Sequence, residues 1–112
     1  MSKPAYERIG RVADGWFPQL PPGPRLDEAK AIVAEAARAA GRNPDEIAVE
    51  GRVAIAAGSG AAGVDKLLDH IGRWRAAGAS HVSINTMGAR LGSVDEHVAL
   101  LTEVARAIHS PA

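Results

Sequence analysis

Apolar positions along the chain follow two periods, one near 3.6 residues and one near 2, and their alternation outlines a fold. From residue 26 to 40, Leu26, Ala29, Ile32, Val33, Ala36, Ala37 and Ala40 keep to one helical face, and Gly41 stands where a left-handed C-cap belongs. Ala5, Ile9 and Val12 share a face of a shorter helix over 4–12, which Gly10 weakens. Val64, Leu67, Leu68, Ile71 and Trp74 mark a helix over 63–77 closed by Gly78. Val94, Val98, Leu101, Val104, Ala105 and Ile108 mark the last helix, over 94–108, and Ser93 with Glu96 has the form of a capping box at its start. Between the helices, 14–18, 47–57 and 80–86 read as strands. The first is very short and runs into Pro18, Pro21, Pro22 and Pro24, an extended loop; Asn43-Pro44-Asp45 is turn chemistry.

Helices and strands therefore alternate without a two-residue hairpin signal, which predicts an α/β fold with parallel strands joined by helical crossovers. The 112 residues suit a single domain, 1–112. Three strands are few for a parallel sheet that stands alone, because such sheets are normally covered on both faces and protected at their edges.

Composition narrows the partners. Thirteen Lys plus Arg balance thirteen Asp plus Glu, so no overall field draws the protein to nucleic acid or to an anionic membrane. Cysteine is absent, which excludes disulfides, thiolate metal sites and a cysteine nucleophile. No apolar run approaches the roughly 20 residues of a membrane span. A soluble, cytoplasmic protein is expected.

Gly58-Ser59-Gly60-Ala61-Ala62-Gly63 has the G-x-G-x-x-G form between a strand and a helix. A dinucleotide site also needs an acidic residue near the end of the next strand, yet none lies between Asp69 and Asp95. A plain loop is the better reading, with a general anion site at the helix start left open. His70, His81, His97 and His109 have no metal-ligand spacing, and Asp27-Glu28, Asp45-Glu46 and Asp95-Glu96 suit helix starts better than acid–base catalysis. Arg73-Trp74-Arg75 lies in an amphipathic helix where Trp74 joins the core stripe. Ligands of parallel α/β folds sit at the carboxyl ends of strands, which singles out Trp16-Phe17, 57–60 and 85–88.

Four stretches carry a resemblance: Arg8 to Pro18 (RIGRVADGWFP), Ala39 to Pro44 (AAGRNP), Val49 to Val53 (VEGRV) and Gly78 to Gly88 (GASHVSINTMG). Together they resemble the carboxyl-terminal third of the luciferase-like monooxygenases, over about residues 4–109. The resemblance implies a partial (β/α)8 TIM barrel: three parallel β/α units, equivalent to the last three strands, after an N-terminal helix. It further implies FMN or the deazaflavin coenzyme, no metal, and hydride transfer or oxygenation of a small organic substrate. Asp14, Gly15 and Trp16 would line the cofactor side of the barrel mouth, with Trp16 as a pocket wall, and Asn85 and Thr86 would end the last strand. No residue matches a catalytic acid or base, since the cofactor carries the chemistry. A whole barrel takes about 250 residues, so the isolated chain is expected to lack a full active site and to need a second copy or a barrel-completing subunit. The rival reading is a non-catalytic interaction module that pairs through open strand edges.

Overall fold

Period and punctuation translate into four helices and three strands in the computed structural model, which describes residues 2–56 and 60–109, leaving aside the side chains of Gly60 and Ala61. In chain order these are α1 (Lys3–Val12), β1 (Gly15–Trp16), α2 (Pro24–Ala39), β2 (Ala48–Ala54), α3 (Gly60–Ala76), β3 (His81–Asn85) and α4 (Val94–His109), with 3-10 turns at Pro44–Glu46 and Met87–Ala89. The strands form one sheet in the order β1-β2-β3. Gly15 pairs with Ala48 and Trp16 with Val49 in parallel. On the other side of β2, the Ser80 amide donates to the Val49 carbonyl at 2.9 Å and the Ile55 amide to the Asn85 carbonyl at 3.3 Å, so both chains advance in the same direction. The fold is α/β with a three-stranded parallel sheet, each strand followed by a helix.

Helix ends obey local chemistry. Beyond α2, the Arg42 amide reaches the Ala37 carbonyl at 2.8 Å and the Gly41 amide the Arg38 carbonyl at 3.0 Å, a Schellman closure that Gly41 permits with φ 74°. The end of α3 repeats it around Gly78, φ 93°, with Ala79 bonded to Trp74 and Gly78 to Arg75. At the start of α4, the Glu96 amide donates to Ser93 Oγ at 3.2 Å, while Glu96 Oε2 accepts from the Gly92 amide at 2.8 Å. The capping box is therefore reciprocal, with the carboxylate reaching one residue further back than the motif requires.

Two compact units make up the chain: one comprises the residues through Gly51 together with Arg73–His81, the other Arg52–Gly72 and the residues from Val82 onward. In the first, α1 packs along α2. A Cβ on Gly10 would overlap the Val33 carbonyl oxygen and lie 2.8 Å from Ala36 Cβ, so the glycine that weakens α1 as a helix is what lets the two backbones meet. Arg42 binds this pair from the loop after α2, donating to the carbonyls of Gly10 at 2.5 Å and Ala13 at 2.6 Å, and so satisfies backbone acceptors at the end of α1. The Lys30 ammonium likewise donates to the Ala77 carbonyl. Leu26, Ala29, Val33 and Ala37 form the buried stripe of α2, with Tyr6, Trp16, Ile47, Val49 and Trp74 also buried. Gly51 has no side chain because the Trp74 indole occupies that space.

In the second unit Val53, Ile55, Val64, Leu67, Ile71, Ala89 and Val104 are buried. Along β2, Val49, Gly51 and Val53 are buried while Ala48, Glu50, Arg52 and Ala54 are half-buried or exposed. That period of two means one side of the strand is packed and the other is open. No helix among the described residues is long and apolar enough to cross a membrane.

Candidate functional site

Asp14, Gly15 and Trp16 come together in the first unit, where they line an open hollow of about 300 Å³ with Phe17, Ala48, Glu50 and His81. Register explains the grouping. Because β1 is only two residues long and pairs with Ala48 and Val49, Gly15 and Trp16 lie beside the start of β2 and not beside its carboxyl end. Trp16, 8 % exposed, stands on the packed side with its partner Val49, and its ring meets Tyr6 edge to face with centroids 5.7 Å apart. The neighbouring ring, Phe17, is 50 % exposed. Of the two aromatics, Trp16 packs on Tyr6 of α1 and Phe17 remains exposed.

Ionisable groups around this hollow are unevenly held. Neither Glu50 nor Asp14 forms an ion pair within 4.0 Å among those described, and His81 Nδ1 is engaged by Ser80 Oγ at 2.8 Å. That bond orients the imidazole at the start of β3. Ser80 also bonds backbone to backbone with Val49, which fixes the position of the pair against β2. His81 and Glu50 are functional candidates that strand logic misses, because it favours carboxyl ends; the alternation of His81-Val82-Ser83-Ile84-Asn85 was the available signal.

Asn85 and Thr86 belong to the second unit. Asn85 Oδ1 accepts from the Met87 amide at 2.8 Å, an Asx turn that ends β3 and starts the 3-10 turn at Met87. Thr86 Oγ1 and His97 Nδ1 lie 2.7 Å apart, joining the strand end to the first turn of α4. His97 could not be paired with Thr86 from spacing along the chain, since the two lie eleven positions apart with a turn between them. Both side chains therefore have fixed orientations, Asn85 toward its own backbone and Thr86 toward an imidazole. Arg90, at φ 55° and ψ 43°, takes the left-handed conformation just after this turn.

Gly58 and Ser59 of the motif, and Ala57 at the end of the expected strand, lie outside the described residues. No group of three or more His, Asp or Glu suited to a metal ion occurs among the described residues. Comparisons with protein-family models, with curated proteins and with solved structures return no significant match.

Proposed function

We propose that this chain is the carboxyl-terminal part of a luciferase-like oxidoreductase that acts on a small organic substrate with FMN or the deazaflavin coenzyme. The observation that carries this reading is the strand order: three parallel strands adjacent in chain order, each followed by a helix, with no reversal of direction around the first strand. Successive β/α units of a barrel keep this order, as do the strands within one half of a doubly wound sheet. The half-open side of β2 supports it further. Parallel sheets that stand alone are buried on both faces, and a strand packed only on the side of Val49, Gly51 and Val53 suits a barrel wall, with Glu50 and Arg52 turned to the interior.

A hollow of about 300 Å³ lies at the lower end of the range for small-molecule sites, roughly 300–1,000 Å³. It fits the edge of a ring system and supplies one wall, the others coming from further β/α units. In this reading Gly15 gives close access to the backbone, Phe17 stacks, and Asp14, Glu50 and His81 hold polar edges. Trp16 acts from behind, by positioning β1 through Tyr6. The flavin-type ring, when bound, supplies hydride transfer; these residues bind it, orient it and exclude water on one side.

Titrating FMN and the deazaflavin coenzyme with the purified chain tests the reading through ring fluorescence. The expected result is a saturable change at high micromolar protein that Phe17→Ala diminishes by about tenfold in affinity, the scale of one lost aromatic stacking contact. No change with either ring, from a folded chain, would contradict it.

A further inference from the structure

We propose that the space between α2 and the packed side of β1 and β2 binds a small aliphatic monocarboxylate. A cavity of about 180 Å³ opens there, lined by residues of the first unit alone. Its floor is apolar, made by Trp16, Val33, Ile47 and Val49, each less than a tenth exposed. The hollow around Phe17 is a different space: Ala48 and Glu50 line it from the opposite side of β2, and Trp16 alone borders both.

The sequence of α2 makes the opening. Lys30, Ala34 and Arg38 stand at i, i+4 and i+8, on one side of the helix, and all three line the cavity. Because the middle position is alanine, a gap separates two long cations where a larger side chain would fill the space. The 3-10 turn at Pro44–Glu46 supplies the facing wall through Pro44 and Asp45. Protein interiors leave few voids larger than a water molecule, and at about 30 Å³ of liquid per water this one has room for about six. Water gains little against an apolar floor, whereas an aliphatic tail is stabilised by burial there.

Charge at the mouth selects the head group. The Arg38 side chain is largely exposed, and its one ion pair among the described residues, to Glu35, spans 3.9 Å. Such a pair contributes little, so the guanidinium fork is available to a carboxylate. The Lys30 ammonium donates to the Ala77 carbonyl, which holds it beside the cavity and leaves further N–H donors. Asp45, exposed and outside any ion pair within 4.0 Å among the described residues, disfavours a ligand with a second negative charge. Two cations, one carboxylate and an apolar floor suit a monocarboxylate with a short tail, smaller than the ligands of the roughly 300–1,000 Å³ sites that hold drug-sized molecules. The proposal stands independently of any flavin-type ring.

Two-dimensional amide NMR of the full chain, titrated with 4-methylpentanoate at neutral pH, tests it. Saturable shifts are expected at Val33, Ala34, Ile47 and Val49, with half-saturation near about 1 mM for so small a ligand. Replacing the acid by neutral 4-methylpentanamide, or the protein by Arg38→Gln, should each weaken binding about tenfold, the scale of one charge-assisted contact. Ala34→Leu, which fills the gap on α2, should abolish it. Absence of saturation in the tens of millimolar overturns the proposal. So does an amide that binds as well as the acid, or undiminished binding by a folded Ala34→Leu chain. Shifts confined to Asp14, Phe17 and Glu50 would put the ligand in the other hollow and overturn it too. Arg38→Gln alters an exposed side chain, so it decides the point even if Ala34→Leu fails to fold.

Discussion

Helices α2 and α4 are both sixteen residues long and both carry an apolar stripe at helical spacing, yet they end in different surroundings. On α2, Leu26, Ala29, Val33 and Ala37 are all buried, and the neighbouring helix α1 comes close enough to exclude a Cβ at Gly10. On α4 the one buried residue is Val104, and Val94, Val98 and Leu101 are exposed. The same sequence signal thus has two outcomes, and on α2 a closely packed second helix accounts for the burial.

The largest expected effect separates the two helices directly. Leu26→Ala removes a fully buried side chain from α2 and should cost about 3 kcal/mol of unfolding free energy in urea denaturation. Leu101→Ala in dilute protein should change stability by less than about 0.5 kcal/mol, as for other exposed positions. Equal losses would erase the distinction between the helices. A smaller effect sharpens it from the other side of α2. Gly10→Ala improves intrinsic helix propensity, but its methyl group would meet the Val33 carbonyl, so a net loss of about 2 kcal/mol is expected. A gain in thermal midpoint would show that α1 and α2 are more loosely packed than described.

Local chemistry is what the sequence exposes best. The stripe of α2, the Gly41 and Gly78 closures and the Ser93–Glu96 cap all depend on residues within one turn of each other, and all are readable from spacing. The alternation of helices and strands likewise suggests the parallel α/β arrangement. Features set by distant neighbours are less legible. Gly10 reads as a weak point in a helix until Val33 is seen against it, and Arg42 reads as loop composition until its guanidinium is found on two carbonyls at the end of α1. For the candidate site, Asp14, Gly15 and Trp16 do gather round one hollow, but which ring is free follows from the register of β1 on β2: Trp16 points to Tyr6, and Phe17 is left exposed. His97 beside Thr86 depends on the turn between β3 and α4, where Arg90 adopts a conformation that composition alone does not announce.

Residue-level amide hydrogen exchange tests most directly the contrast between the packed stripe of α2 and the exposed stripe of α4. The contrast requires that α4 exchange much faster than the middle of α2. Equal protection of the two helices would contradict it.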